Sequence, residues 1–235
     1  VTADLLLKKQ DDKPYQWVHC LLSKITQENV IVRYEGVIFD ITSRLEQEKA
    51  IRFQAEYDSL TKVFRRDTAE ARLAKFLTES PDTPIVVMLL DLDGFKAIND
   101  NFGHDAGDEV LVEIADRFKK NLRGDDVVAR LGGDEFFIIL YRCEPINAEL
   151  LLAEKIINAV CQPIQLKSNR SVRVGVSIGM ASNYYFKDVD NLIKAADQEM
   201  YEVKRNGKNG FALKKNNGEH IIKIFNAGKS IAFFR

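Results

Sequence analysis

The sequence predicts an α/β chain of the α+β kind, with a mixed central sheet flanked by helices and a small N-terminal β segment and linker helix ahead of it. Three observations carry this. Short apolar runs at residues 85–90, 136–140 and 172–180 have the length and composition of strands. Segments of 11 to 18 residues with charged and apolar positions at helical spacing separate them. The two kinds of segment alternate from about residue 67 onward, which places helices against the faces of one sheet.

Taken in order, residues 16–25, 29–34 and 36–41 read as strands, the last two joined around Glu35-Gly36. Three strands are too few to bury a core by themselves. Between 42 and 57 the composition turns to Arg, Glu, Gln, Lys and Ala with Leu45, Ile51, Phe53 and Tyr57, an exposed helix able to pair with a copy of itself. A helix at 67–77, a strand at 85–90 and a helix at 105–122 follow. A hairpin is then formed by 127–131 and 136–140, with Gly132-Gly133 supplying the positive φ angles of its turn. A helix at 147–160, a strand at 172–180 and a helix at 188–204 complete the pattern, while 214–235 stays unassigned despite apolar patches at 221–225 and 231–234.

Composition limits function. Hydrophobic residues at 46% and charged residues at 29% suit a globular protein, and a net charge of −1 gives no electrostatic case for nucleic acid or an anionic membrane. The apolar runs are too short to span a bilayer, and the first ten residues lack the shape of a signal peptide, so a cytoplasmic location is expected, with no membrane segment in this stretch. Cys20, Cys143 and Cys161 are scattered, without metal-ligand spacing, which suits a reducing compartment. The start at Val1 rather than Met suggests a fragment whose parent carries further sensor or membrane segments.

Two acidic features do not follow from folding alone. Asp134-Glu135 beside a tight turn repel each other and gain nothing from the turn, which calls for a cation or for solvent. The strand at 85–90 runs into Asp91-Leu-Asp-Gly-Phe-Lys-Ala-Ile-Asn-Asp, where carboxylates suit Mg²⁺ and a helix start suits phosphate. Asp93 there is read as a helix cap. If the hairpin lies beside this strand, Asp91 and Asp134 converge on one cation, as phosphoryl and nucleotidyl transfer require.

The joint pattern Asp91-x-Asp-x-Phe-Lys-x-Ile-Asn-Asp-x-Phe-Gly-His-x-x-Gly-Asp108, followed by Arg130-Leu-Gly-Gly-Asp-Glu-Phe136, resembles the GGDEF domain of diguanylate cyclases over residues 58–213. The resemblance implies a palm-like nucleotidyl-cyclase fold and condensation of two GTP into cyclic di-GMP with release of pyrophosphate. Each domain holds one GTP, so a homodimer is implied. It assigns Asp91, the main-chain carbonyl of Leu92 and Asp134 to Mg²⁺, with Mn²⁺ as an alternative metal, and Asp134 and Glu135 to catalysis. Gly132 and Gly133 leave room for the nucleotide, beside Phe95. Asn99 and Asp108 read guanine, a carboxylate accepting from its N1–H and exocyclic amine; Asp105-x-x-Asp108 also fits a helix-capping arrangement. Lys96, Lys204 and Lys208 touch the phosphates, Lys208 standing where the family more often has Arg. His104 is read as structural.

Arg123-Gly-Asp-Asp126 lies upstream of the hairpin with five residues between Asp126 and Gly132, the spacing of the family's inhibitory site for the product; a charged helix end meeting a strand is the simpler alternative. Residues 1–45 resemble the last strands of a PAS sensor domain, with Trp17 in one strand and Asp40-Ile-Thr42 at the end of the last, and 46–57 a signalling linker helix. No sensor ligand is expected in so partial a segment. One departure stands out: against the family's Asp-x-Leu-Thr-Gly-Leu-x-Asn-Arg, this chain has Asp58-Ser-Leu-Thr-Lys62-Val-Phe-Arg65-Arg66, which implies an altered start of the domain and weaker activity. The rival reading is a silent module that binds GTP or cyclic di-GMP and signals to a partner; the presence of all the acidic and guanine-reading residues favours the enzyme.

Overall fold

The computed structural model describes residues 1–7, 16–28, 30–143, 148–214, 220–225 and 233–234. The chain divides into two compact units, Val1–Ala55 and Glu56–Arg235.

In the first unit, β1 (Thr2–Leu7), β2 (Gln16–Gln27) and β3 (Val30–Asp40) form an antiparallel sheet in that order. β1 is an addition to the strands expected. The expected break at Glu35-Gly36 does not occur: β3 runs through it, with Gly36 paired to Leu22 inside the ladder. Glycine there makes room for the Leu22 side chain, which an added Cβ would meet at 2.6 Å, so its role is close approach and not a turn. Asn29, the expected start of that strand, lies outside the described residues. Val18 is buried, whereas Leu22, Val32, Tyr34, Ile38 and Phe39 are exposed, as expected of a sheet too small to close a core. Helix α1 (Thr42–Glu56) begins where Asp40 Oδ1 accepts from the Thr42 amide and Thr42 Oγ1 accepts from the Trp17 amide. It buries none of its residues within the described structure.

The second unit is built on an eight-stranded mixed sheet. Its strands are β4 (Phe64–Arg65), β5 (Ile85–Asp93), β6 (Val127–Gly132), β7 (Glu135–Tyr141), β10 (Gly175–Ser182), β11 (Gly210–Lys214), β12 (His220–Ile224) and β13 (Phe233–Phe234), in the order β13-β12-β11-β10-β5-β7-β6-β4. The β4–β6 and β10–β11 pairs are parallel and the others antiparallel. A separate small hairpin joins β8 (Ile164–Gln165) to β9 (Ser171–Val172). The single strand expected at 172–180 is thus two: Val172 pairs back onto Ile164 across a turn containing Asn169 at φ 59°, and the central strand starts afresh at Gly175.

Both faces of the sheet are covered, and β5 shows why. Its side chains alternate with the two-residue period of a strand: Val86, Met88, Leu90 and Leu92 enter one core, and Ile85, Val87 and Leu89 the other. The first core takes α3 (Phe95–Phe102), α4 (His104–Asn121) and α5 (Ala148–Val160), through residues such as Ile98, Ile114, Phe118 and Ile157. Phe118 meets Phe136 edge to face at 5.1 Å, a buried aromatic pair whose truncation typically costs about 3–5 kcal/mol. The second core takes α2 (Arg66–Glu79) and α6 (Val189–Arg205), through Ala69, Leu73, Leu192, Ala196 and Met200. Asp188 caps α6 by accepting from the Asn191 amide. The unassigned tail is part of this fold: β12 and β13 lengthen the sheet beyond β11, with Ile222 and Ile224 buried. Ile231, in its second apolar patch, lies outside the described residues.

Candidate active site

The site forms where β5 ends beside the β6–β7 hairpin. Asp91 is directly opposite Glu135 in the antiparallel β5–β7 ladder, and the Leu92 amide donates to the Asp134 carbonyl at 3.3 Å. The convergence expected of Asp91 and Asp134 is therefore a consequence of strand register. The turn sits one residue later than expected. Gly132 pairs with Glu135 after a bulge at Leu131, so the two loop residues are Gly133 and Asp134. Gly133, at φ 52°, takes the positive angle required at the first loop position, and Asp134 does not. A Cβ added at either Gly132 or Gly133 would meet nothing within 4 Å, so the space above the turn is open.

Electrostatics mark the cluster. Burial pushes the Asp134 carboxyl above the usual range and the nearby charge of Asp91 pushes it further; the same two causes, in the same order, raise Glu135. Lys204, at the end of α6, opposes both and places its Nζ 2.7 Å from Asp91 Oδ2. Three carboxylates held close together, with one ammonium among them, form a site that gains from a divalent cation. Among the described residues no three Asp, Glu, His or Cys side chains by themselves gather around one point as a metal cage. Mg²⁺ takes one or two carboxylates and completes its shell with carbonyl, water and phosphate oxygens.

The guanine-reading residues expected from the sequence sit on α3 and α4, which Gly103 joins at φ 87°. Gly107 of α4 packs so closely on α3 that an added Cβ would collide with Asn99 Oδ1 and touch the Phe95 ring at 3.1 Å. Asn99 Oδ1 is buried without a hydrogen-bond partner among the described residues, a costly state for an amide oxygen and one that a ligand donor relieves. Asp108 is exposed one residue beyond Gly107. The alternative of a side-chain cap is not seen: α4 starts after Gly103 with no capping side chain.

The reading of Asp93 as a helix cap is overturned. The N-cap of α3 is Gly94, at φ 88°. Asp93 instead turns into the fold, accepting from Ser177 Oγ at 2.9 and 3.0 Å and from the Asn209 amide at 2.9 Å. Ser177 and Asn209 are site neighbours that the sequence did not single out. Arg130 is another: it donates to the Gly133 carbonyl at 2.8 and 3.0 Å and to Asp58 Oδ1 at 3.3 Å, fixing the β6–β7 turn to the start of the domain. The adjacent Lys62 stands at φ 55°, a left-handed position that explains why the family pattern has glycine there. Lys96 and Lys208 are both exposed.

Arg123 and Asp126 lie apart from this cluster. Both oxygens of Asp126 accept main-chain hydrogens, from Arg123 at 2.9 Å and Tyr141 at 3.2 Å, so the carboxylate shapes the link between α4 and β6. Beside it opens a cavity of about 370 Å³ whose lining includes Lys120, Arg123, Arg142 and Lys155, a concentration of cations suited to phosphate.

Comparison with known proteins identifies the family of this domain. The family model described as "Diguanylate cyclase, GGDEF domain" matches residues 55–210. The chain is 41% identical over 164 residues to the bifunctional diguanylate cyclase/cyclic di-GMP phosphodiesterase MucR of Pseudomonas aeruginosa, which covers 68% of this chain and 23% of that protein. It is 37% identical over 187 residues to the diguanylate cyclase TpbB of the same species, covering 77% of this chain and 42% of TpbB. The chain thus spans less than half the length of these relatives. Among solved structures, the GGDEF domain of TpbB superposes with a TM-score of 0.66 at 37% identity, covering 69% of this chain and 96% of that one. The coiled coil and GGDEF domain of DgcB from Caulobacter crescentus, solved in complex with c-di-GMP, gives a TM-score of 0.68 at 28% identity, covering 73% and 93%.

Proposed function

The chain belongs to the GGDEF domain family of diguanylate cyclases, and from that premise we propose that it condenses two GTP into cyclic di-GMP, releasing two pyrophosphates, across a pair of its own second units. The observation that supports this most is the register that sets Asp91 opposite Glu135 and beside Asp134. A family member that only binds nucleotide has no need of three mutually repelling carboxylates at the turn.

Asp91, the Leu92 carbonyl and Asp134 would hold Mg²⁺. When bound, the ion supplies charge neutralisation and polarises the α-phosphate toward attack. Glu135, whose carboxyl is raised by burial and by the charge of Asp91, would accept the proton of a 3′-hydroxyl. Asn99 Oδ1 accepts from guanine, which answers its unpaired state, and Asp108 accepts from the N1–H and exocyclic amine at the open side of the pocket. Phe95 lies beside the base, and Gly132 and Gly133 leave the sugar and phosphates open space. Lys96 and Lys208 take phosphate oxygens. Lys204 joins them once a cation takes its place on Asp91. Each 3′-hydroxyl attacks the α-phosphorus of the other nucleotide, so two P–O bonds form as two pyrophosphates leave. Arg123 and Asp126, with the neighbouring cations, are read as the inhibitory site for product, residues 1–45 as the end of a PAS-like sensor, and 46–57 as a signalling helix.

The test is incubation with Mg²⁺ and GTP followed by chromatography. Cyclic di-GMP is expected from the wild type, with Asp134→Ala lowering the rate at least ~100-fold, a loss typical of removing a group that stabilises transition-state charge. GTP left intact by a dimeric wild-type sample would overturn the reading.

A further inference from the structure

The turn after α6 carries three consecutive residues at positive φ: Gly207 at 118°, Lys208 at 64° and Asn209 at 47°. Two of them are not glycine, and a side chain holds such a backbone only where its surroundings fix it. Asn209 is fixed from several sides. Its amide donates to Asp93 Oδ2 at 2.9 Å, and its side-chain Nδ2 donates to the Phe225 carbonyl at 2.7 Å. The Phe225 amide returns a bond to the Asn209 carbonyl at 2.8 Å, and Cys161 Sγ donates to Asn209 Oδ1 at 3.2 Å. The Lys208 amide donates to the Val203 carbonyl at 3.0 Å. Asp93 is held in turn by Ser177. Asn209 therefore ties the end of β5, which carries Asp91, to Phe225 at the end of β12, well past residue 210 where the family match stops.

We infer that Asn209 and Asp93 are positioning residues for Lys208, and that β12, through Phe225, is a working part of the substrate site: together they hold the left-handed turn that presents the Lys208 ammonium to the β- and γ-phosphates. The inference rests on the GTP reading above. A lysine on a flexible stem loses much of its phosphate attraction to ordering, and a fixed Cα direction reduces that loss.

Binding of two probes to the full chain with Mg²⁺ tests it: 3′-deoxy-GTP, which carries the triphosphate but no nucleophile, and GMP, which lacks the β- and γ-phosphates. Asn209→Ala should weaken 3′-deoxy-GTP about tenfold while leaving GMP within about twofold, and should add less than about twofold in a Lys208→Ala background, because coupled residues are not additive. Asp93→Asn, which keeps an acceptor for the Asn209 amide, should bind 3′-deoxy-GTP within about threefold of wild type, and Asp93→Ala should match Asn209→Ala. The Asp93 pair decides the matter if Asn209→Ala does not fold. Unchanged 3′-deoxy-GTP binding, equal weakening of both probes, or full additivity with Lys208→Ala would overturn the inference. A wild type that binds neither probe overturns the guanine-nucleotide reading itself, and this inference with it.

Discussion

Asp58 shows how one residue at the start of the domain reaches the β6–β7 turn. Its Oδ1 accepts from the Thr61 amide at 2.8 Å, the Thr61 hydroxyl at 2.6 Å and Arg130 at 3.3 Å, and Arg130 carries the tie on to the Gly133 carbonyl. Partial burial acts to raise the Asp58 carboxyl, but the Thr61 bonds and the Arg130 charge outweigh it, and its pKa falls below the usual 3.8. A depressed carboxylate contributes stability that is present above its unfolded pKa and lost as pH falls through the folded one. Asp58→Asn should therefore melt ~1–3 °C below wild type at pH 7, allowing for solvent screening, and the difference should shrink below about pH 4. A difference independent of pH, measured by thermal unfolding from pH 3 to 7, would show that the charge is not involved. The acidic trio was legible in the sequence because its members lie at strand ends beside recognisable punctuation. Arg130, Ser177 and Asn209 were not: their partners stand 72, 84 and 116 residues away, and no local pattern encodes such bonds.

At the scale of elements, most helices and central strands were readable from periodicity, since strong amphipathic and apolar patterns decide type before packing acts. The failures share a cause. Gly36 looked like a turn but serves cross-strand approach, the strand after Val172 breaks because a small hairpin captures its first residues, and the tail strands are specified by the edges they pair with, β12 on β11 and β13 on β12. Each depends on a partner outside its own window. The link between α4 and β6 combines both lessons: the Arg123–Asp126 spacing was readable, whereas the two main-chain bonds that Asp126 accepts were not. Because Arg123 is exposed beside the cation-lined cavity, Arg123→Ala should leave the initial rate within about twofold and raise the concentration of added cyclic di-GMP needed for half-inhibition at least tenfold, as loss of a bidentate phosphate contact implies. Inhibition unchanged in the variant would remove the site from the account.

At the scale of the whole molecule, one second unit carries one carboxylate cluster and one Asn99–Asp108 pair, while the proposed product joins two nucleotides through two bonds. Half of the reacting atoms must then come from another copy. The first unit has exposed apolar strands and a helix that buries none of its residues within the described structure. Mass action makes the requirement measurable. The most direct measurement is the initial rate of cyclic di-GMP formation from GTP and Mg²⁺ over nanomolar to micromolar protein, with the oligomeric state followed by sedimentation in the same buffer. The account predicts that the rate per chain climbs with concentration and levels off as dimers fill. Product formed at a constant rate per chain by a sample that sediments as monomer, or no product at any concentration, would contradict it.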